Sequence, residues 1–351
     1  MIKKFKCIGQ MSGTSVDGVD LVCAEFWEEN SKWNYEILKS DSISYSELWK
    51  KKLKNSHLLK AEELYILSFE YGKYLGKLIH DFSKDIENVY LAATHGHTVF
   101  HQPEKGISVQ IGNGYAIRQQ IDFPLVFDFR SADVAKGGQG APLVPIGDEL
   151  LFSEFDVCVN IGGFANLSYQ ENNKRLAFDI CPANFVLNHY ANFLGKDFDD
   201  KGQIAKSGKA SSELLEKLNS LNYYHQKPPK TLGREWLEKN FFGITESFSD
   251  NIPDLLAGLS EHIAIQISRS FSQSSKKILL SGGGVYNDFL IERIKFHSKS
   301  KEIIIPDDKI IDFKEALIFA FMGLLRFQNR INIYKSYSGA IENHSAGLIL
   351  R

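Results

Sequence analysis

The most informative part of the chain is Gly9-Gln-Met-Ser-Gly-Thr-Ser-Val-Asp-Gly-Val-Asp20, which separates two strand-like segments. The residues from 5 to 11 are apolar enough for a strand, and residues 19–26 alternate like a second one. The residues between them are small or turn-forming, so the pattern predicts a β-hairpin. On these local features alone, a hairpin with a polar turn explains the segment as well as a ligand-binding loop does.

The same turn concentrates groups that can bind a phosphate. Backbone N–H groups and hydroxyls can surround phosphate oxygens, and carboxylates at such sites often hold Mg²⁺ through water. Asp17 and Asp20 are the candidate magnesium ligands. The whole candidate loop comprises Ser12, Gly13, Thr14, Ser15, Val16, Asp17, Gly18, Val19 and Asp20.

Two further glycine turns follow apolar strand patterns. Residues 156–161 run into Gly162-Gly163, and residues 277–280 run into Ser281-Gly-Gly-Gly284. Each pattern predicts a buried strand that ends in glycines and feeds a helix, and the second helix is expected from Asn287. Such units are typical of α/β proteins whose ligands bind at the carboxyl ends of strands. Taken singly, a Gly-Gly after a strand is more often only a tight turn.

The common nucleotide-binding fingerprints are missing from the sequence. The segment 202–210 resembles a P-loop, but its glycine spacing is wrong and Ala210 replaces the Ser or Thr. Gly112-Asn-Gly114 lacks the third glycine of a dinucleotide fingerprint. A nucleotide would therefore have to be bound by another arrangement.

Length and composition narrow the class of protein. The 351 residues suggest two domains, and 43% hydrophobic with 24% charged residues is ordinary globular composition. The net charge of −2 argues against a cationic surface for nucleic acid or lipid. The scattered cysteines indicate reduced thiols, the N-terminus lacks a signal-peptide pattern, and no apolar run would span a bilayer. We therefore expect a cytoplasmic protein with no membrane or nucleic-acid partner.

The order of the three glycine motifs resembles that of the actin/hexokinase/Hsp70 superfamily. This resemblance implies an α/β, two-lobed actin/hexokinase-like (ribonuclease H-like) fold with a central interdomain cleft. It places a first lobe at 1–127, joined by the closing segment 313–351, and a second lobe at 128–312. In that superfamily the turns hold ATP, which here implicates Gly162, Gly163, Gly282, Gly283, Gly284 and Asn287.

Six blocks in register make the resemblance specific. They are similar to the anhydro-N-acetylmuramic acid kinase family and lie at 11–20, 94–101, 128–145, 159–166, 230–235 and 315–321. The resemblance implies an enzyme that opens 1,6-anhydro-N-acetylmuramic acid with water and phosphorylates O6 using ATP and Mg²⁺. The product, N-acetylmuramic acid 6-phosphate, belongs to cell-wall recycling and amino-sugar catabolism. The implied partners are the sugar and ATP, and the sequence leaves a homodimer open.

The catalytic base implied by the family is Asp179. The family block usually reads Phe-Asp-Thr-Gly-Pro-Gly-Asn, and here it reads Phe178-Asp-Ile-Cys-Pro-Ala-Asn184. The carboxylate is retained, whereas Ile180, Cys181 and Ala183 depart from the pattern. Without the family context, a helix N-cap ahead of Pro182 would be the better explanation of Asp179.

The residues implied in sugar binding are His95, Gly96, Arg130, Asp133 and Glu315. A guanidinium pairs bidentately with a carboxylate, so Arg130 is the natural partner of the lactyl carboxylate. The alternatives are a salt bridge for Arg130, a structural buried histidine for His95 and a helix-capping role for Glu315.

Two alternative functions stay open at this point. The altered 180–183 segment allows a kinase of the same fold that acts on a related sugar. A non-catalytic ATP-binding regulator or chaperone-like module would also use the fold, but it would not need Asp179, Arg130 and Asp133 together. A coupled assay with ATP and the anhydro sugar separates these possibilities.

Overall fold

The computed structural model describes residues 2–13, 16–228 and 230–351, which form two compact units. Unit 1 comprises Met1–Leu151 and Phe313–Arg351, and unit 2 comprises Phe152–Asp312. The strands are β1 (Lys4–Met11), β2 (Gly18–Glu29), β3 (Lys32–Ser44), β4 (Leu91–Thr94), β5 (His97–Gln102), β6 (Ile107–Ile111), β7 (Leu125–Phe127), β8 (Val157–Ile161), β9 (Phe164–Glu171), β10 (Lys174–Pro182), β11 (Lys277–Ser281), β12 (Glu302–Ile304) and β13 (Leu348–Leu350).

The α-helices range from single turns to more than five turns. They are α1 (Glu47–Lys54), α2 (Ala61–Ser83), α3 (Gly114–Arg118), α4 (Ser131–Ala135), α5 (Pro145–Leu150), α6 (Asn184–Ala191), α7 (Gln203–Ser207), α8 (Ser212–Asn219), α9 (Arg234–Asn240), α10 (Phe242–Thr245), α11 (Ile252–Arg269), α12 (Asp288–His297), α13 (Asp308–Phe327) and α14 (Lys335–Ser338). Among the described residues, no helix combines the length and apolarity needed to cross a membrane.

The sequence placed the first boundary at residue 127, but residues 128–151 belong to unit 1. Their side chains pack on α13, because the rings of Phe129 and Phe319 lie 5.6 Å apart. The side chain of Ile318 also occupies the space beside Gly147 that a β-carbon would need. These contacts with the closing helix keep the segment in unit 1.

The sheet of unit 1 has the order β13-β7-β4-β1-β2-β3. Strands β1, β2 and β3 are antiparallel, and β4 and β7 then add in parallel. The hairpin predicted at the start of the chain is confirmed, with Met11 opposite Asp20. The closing helix α13 packs against this sheet so tightly that a β-carbon at Gly9 would collide with the backbone at Ala316.

The sheet of unit 2 has the order β10-β9-β8-β11-β12. Again the first three strands form an antiparallel meander, and β11 and β12 add in parallel beside β8. Both units therefore share one order over five strands, to which unit 1 adds β13 at the edge, and the predicted ribonuclease H-like α/β fold class is confirmed.

One strand–glycine–helix prediction is wrong. The turn at Gly162-Gly163 leads into strand β9, not into a helix, because residues 164–169 pair with β8 in an antiparallel hairpin. The turn at Gly282–Gly284 does lead into a helix, since a short 3₁₀ turn joins β11 to α12.

Candidate active site

The residues of unit 1 that were predicted to bind phosphate differ in whether their side chains are buried or exposed. The hydroxyl of Ser12 is 2.7 Å from that of Tyr45 and 2.9 Å from that of Tyr71, and the two tyrosine hydroxyls are 2.6 Å apart. Because Ser12 is also only 2% exposed, its hydroxyl anchors the turn and is not free for a phosphate, contrary to the sequence expectation. The predicted contributions of Thr14 and Ser15 lie outside the described residues.

The second half of this loop contains residues that shape the backbone and two carboxylates that are candidate metal ligands. The backbone N–H of Val16 lies near the carbonyl of Gly13, and Val19 is fully buried in the core. A β-carbon at Gly18 would approach the carbonyl oxygen of Ile43 to 2.5 Å, so close strand pairing requires this glycine. The candidate metal ligands Asp17 and Asp20 are exposed and partly exposed, respectively.

Two carboxylates of unit 1 influence each other. Burial raises the pKa of the Glu315 carboxyl; nearby Lys314 lowers it and the Asp20 charge raises it. The hydroxyl of Ser42 donates to Asp20 at 2.7 Å, which fixes one carboxylate oxygen. Glu315 does not cap the closing helix, because α13 begins at Asp308. The charges around Glu315 are mixed, because Lys314 and Arg130 oppose the effect of Asp20 and Asp148.

The donor set is compatible with Mg²⁺ only in part. Asp17 and Asp20 supply oxygen ligands, the type that Mg²⁺ prefers, but residues 2–13, 16–228 and 230–351 contain no cluster of three His, Cys, Asp or Glu side chains placed to hold a metal. Magnesium commonly keeps several waters and binds through one or two carboxylates together with substrate phosphates. A site of that incomplete kind matches the residues present.

His95 and Arg130 form a fixed pair. The Nδ1 atom of His95 is 3.0 Å from the carbonyl oxygen of Gly96, which assigns its proton to Nδ1 and leaves Nε2 as an acceptor. Arg130 donates to that Nε2 from Nε at 3.0 Å and from Nη2 at 2.9 Å, and its Nη1 donates to the carbonyl of Gly140. Burial and the adjacent guanidinium lower the pKa of His95 to about 3, so the ring stays neutral and accepts.

Gly96 is required by the backbone, since its φ of +70° is in the left-handed region and a β-carbon there would crowd the carbonyl of Ile111. A cavity of about 260 Å³ opens at this point, entirely within unit 1. Its lining includes polar groups from Thr94, Gln110 and Asp128 beside His95. A small polar ligand would meet hydrogen-bonding groups on several sides of this cavity.

Asp133 has a different role from the expected sugar contact. Its side chain is fully buried, and Oδ2 accepts the backbone N–H of Gly140 at 2.6 Å. Oδ1 lies 3.5 Å from Nε2 of His344, and a β-carbon at Gly138 would collide with the carboxylate. Asp133 therefore holds the glycine-rich loop in shape and reaches a ligand only through that loop.

Asp179 lies in strand β10 of unit 2, so it is not a helix N-cap. Its Oδ2 accepts the hydroxyl of Thr231 at 2.7 Å and the backbone N–H of Leu232 at 2.9 Å. Within the described part of the chain, Oδ1 accepts no hydrogen bond. Burial raises the pKa of the carboxyl, and the two donors oppose that shift. The result is a partly buried carboxylate with one oxygen held and the other available.

The residues that depart from the family pattern point into the core. Ile180, Cys181 and Ala183 are at most 3% exposed and belong to the hydrophobic core of unit 2. The pairing of β9 and β10 shifts between Asp179 and Cys181, so Ile180 is the extra residue of a β-bulge. The substitutions therefore change core packing next to the carboxylate and leave the carboxylate itself in place.

The Gly162-Gly163 turn is locked onto the start of α6. The backbone N–H groups of Ala183 and Phe185 donate to the carbonyl of Gly163, at 2.9 and 3.1 Å, and that of Asn184 donates to Gly162 at 3.1 Å. The backbone N–H groups at the start of this helix are thus already hydrogen-bonded to carbonyl groups of the turn. The N–H groups of the 183–185 segment are not available to a phosphate in this arrangement.

The third turn also packs on its neighbours. Gly282 has φ +84°, and a β-carbon there would collide with the side chain of Asn160. A β-carbon at Gly284 would collide with Ile161, whereas Gly283 faces open space. Asn287 caps α12 by accepting the N–H of Leu290 at 2.9 Å, so its oxygen has a structural partner. The open side of this turn is therefore at Gly283.

The comparison with known families gives a match that covers almost the whole chain. The family model described as anhydro-N-acetylmuramic acid kinase matches residues 5–351. The chain belongs to this family. The family and enzyme class expected from the sequence, a sugar kinase, are thereby confirmed.

Relatives within the family match over more than nine-tenths of their length. The anhydro-N-acetylmuramic acid kinase of Crocosphaera subtropica is 32% identical, with 93% of both chains covered. That of Francisella tularensis subsp. novicida is 30% identical, with 95% of both covered. Among solved structures, the activator of the 2-hydroxyisocaproyl-CoA dehydratase from Clostridium difficile with bound ADPNP covers 91% of this chain and 94% of its own, at 16% identity and a TM-score of 0.43.

Sequence reasoning missed several residues around the family's carboxylate. Thr231 and Leu232 were part of a family block, but nothing local indicated that they hold Asp179. Asn160 and Asn166 were also inside a block and had no assigned role. Their significance appears only from the strand register, which aligns them with Asp179 across the sheet.

Proposed function

We propose that this chain is an anhydro-N-acetylmuramic acid kinase that opens 1,6-anhydro-N-acetylmuramic acid with water and transfers the γ-phosphoryl group of ATP to O6. The observation that carries the proposal is the Asp179 carboxylate, with Oδ2 held by two donors and Oδ1 available. Membership of the family over residues 5–351 supports the same assignment. The reaction would belong to cell-wall recycling in the cytoplasm.

In this mechanism Asp179 is the general base. Its Oδ1 takes a proton from the attacking water, the water oxygen bonds to C1 of the sugar, and the C1–O6 bond breaks. The released O6 then takes the γ-phosphoryl group and ADP leaves. Partial burial raises the pKa of Asp179, which makes it a stronger base while Thr231 and Leu232 keep it ionised. Most of the remaining catalysis is positioning and charge stabilisation.

Arg130 is proposed to bind the lactyl carboxylate of the sugar. A guanidinium carries five N–H donors, and His95 with Gly140 engages those at Nε, Nη2 and Nη1 once each. Among the described residues, one N–H remains on each terminal nitrogen, and these two donors are proposed to bind the carboxylate. The polar cavity beside His95 and Gly96 is the proposed place for the sugar ring.

The nucleotide is proposed to use the glycine turns. The glycines proposed for this role are Gly13, Gly18, Gly162, Gly163, Gly282, Gly283 and Gly284, because a backbone without a β-carbon lets a phosphate or nucleoside approach closely. Asp20, with Asp17, would hold Mg²⁺. When bound, the metal supplies charge neutralisation for the transferred phosphoryl group.

An assay with ATP, Mg²⁺ and the anhydro sugar tests the proposal. ADP release should depend on 1,6-anhydro-N-acetylmuramic acid, and the product mass should equal that of the sugar plus one water and one phosphoryl group. The matched control is 1,6-anhydro-N-acetylglucosamine, which lacks the lactyl carboxylate and should react poorly. Sugar-independent ADP release, or a product that retains the anhydro bridge, would reject the proposal.

A further inference from the structure

A row of polar residues crosses the sheet of unit 2 beside the proposed base. The register pairs Asn160 of β8 with Asn166 of β9, and Asn166 with Asp179 of β10. Residues directly opposite each other in antiparallel strands point to the same face, with β-carbons about 4.5–5.5 Å apart. The two amides and the carboxylate therefore form a continuous polar row.

The row lies on the opposite face of the sheet from a set of buried apolar side chains. The strand neighbours Val159, Ile161, Ala165 and Leu167 are at most 2% exposed, whereas both asparagines and Asp179 are partly exposed. Neither amide side chain is hydrogen-bonded to any residue within 2–13, 16–228 and 230–351. Because both amides are partly exposed, their donors and acceptors can bind water or a ligand beside the carboxylate.

The position of Asn160 is fixed by both glycine turns. Its amide oxygen occupies the space that a β-carbon at Gly282 would fill, and its amide nitrogen would lie 3.6 Å from a β-carbon at Gly162. Asn160 thus closes one end of the row at the two turns, and Asp179 closes the other. Asn166 is the central member and the direct neighbour of the carboxylate.

We propose that Asn166 is a further catalytic residue that holds the attacking water together with Asp179. This inference rests on the proposed function. The water gives one proton to Oδ1 of Asp179 and donates its second O–H to the amide oxygen of Asn166. With both O–H bonds directed at the row, a lone pair of the water oxygen is aimed away from the sheet, toward C1 of the sugar.

The chain offers a matched control on the same strand face. Gln170 lies four residues after Asn166 in β9, so its side chain is on the same face, but it is exposed and pairs with Arg175. Gln170→Leu therefore removes an amide from the same strand without touching the row. Asn166→Leu replaces the amide beside Asp179 with an apolar side chain that branches at the same atom.

The decisive experiment measures kcat for the anhydro sugar in wild type, N166L and Q170L, with melting temperatures to confirm folding. We expect N166L to lose about 10–10²-fold in kcat, the effect of one lost hydrogen bond to the reacting water, with the KM for ATP unchanged. Q170L should match wild type. An active wild type with N166L turning over normally would overturn the role of Asn166, whereas an inactive wild type would reject the proposed function itself.

A second variant of Asn166 tests whether this side chain lies beside Asp179, through a change in the pH dependence of kcat and not only through a change in stability. Asn166→Asp places a like charge beside Asp179, which should raise the pKa of the base and move the acid limb of the kcat profile to higher pH. Gln170→Asp should leave the limb where it is. An unshifted limb in N166D would show that the two side chains are not neighbours in solution and would contradict the inference.

Discussion

The hydroxyl of Thr231 donates to Oδ2 of Asp179 at 2.7 Å, and the next residue, Leu232, donates its backbone N–H to the same oxygen at 2.9 Å. The 230–235 segment thus binds one oxygen of the carboxylate. These two hydrogen bonds orient the carboxyl plane and leave Oδ1 as the atom that can take a proton. The altered residues that follow Asp179 therefore do not set its orientation, because the hydrogen bonds to its carboxylate come from a different segment.

The first prediction concerns the hydrogen bond from Thr231 to Asp179. Thr231→Val removes a donor that lowers the pKa of Asp179, so the pKa should rise and the carboxylate should protonate at higher pH. The acid limb of the kcat profile should therefore move upward, with the larger loss of rate on the acid side. Thr231→Ser keeps the hydroxyl and should behave like wild type. A profile that is identical in T231V and wild type would show that this hydrogen bond does not influence the base.

The second prediction concerns the proposed carboxylate-binding arginine. Arg130→Ala should raise the KM for the anhydro sugar by about 10–10²-fold, because a hydrogen bond to a charged group is lost, while the KM for ATP changes little. Arg330→Ala is the control, since Arg330 pairs with Glu28 at the surface. Steady-state kinetics with each substrate varied in turn would check both. A rise confined to the KM for ATP would assign Arg130 to the nucleotide instead.

The third prediction concerns the residues that differ from the family pattern. Because Ile180 is 3% exposed and packed in the core, Ile180→Thr should lower the free energy of unfolding by ~1–3 kcal/mol and leave both KM values unchanged. Ile180→Val, which keeps an apolar side chain, should cost less. Urea unfolding and kinetics on the same samples test this. A shift in sugar preference at unchanged stability would mean that the bulge residue faces the substrate.

Much of the fold could be predicted because the deciding signals are local. Alternation of apolar residues predicted the β1–β2 hairpin. The Gly162-Gly163 turn was assigned wrongly because paired glycines look alike before a strand and before a helix. The strand pairing of the following residues is a long-range contact that no local pattern contains.

The site was predicted less completely, for the same physical reason. Residue type suggested that Ser12 and Asp133 bind ligands, but their partners are distant in sequence: Tyr45 and Tyr71 for Ser12, and His344 for Asp133. These partners bury the polar groups and give them structural roles. The row beside Asp179 depends on strand register in the same way, so it could not be recognised before the pairing was known.

The most direct test of the account is the product yield of Asp179→Asn with ATP, Mg²⁺ and 1,6-anhydro-N-acetylmuramic acid, measured by mass spectrometry beside wild type. Asparagine keeps the shape of the side chain but cannot take the proton of the attacking water. We expect formation of N-acetylmuramic acid 6-phosphate to fall by ~10²–10⁴-fold, while the dissociation constants of ATP and the sugar stay within a few-fold of wild type. Near-normal product formation by D179N would contradict the assignment of Asp179 as the base.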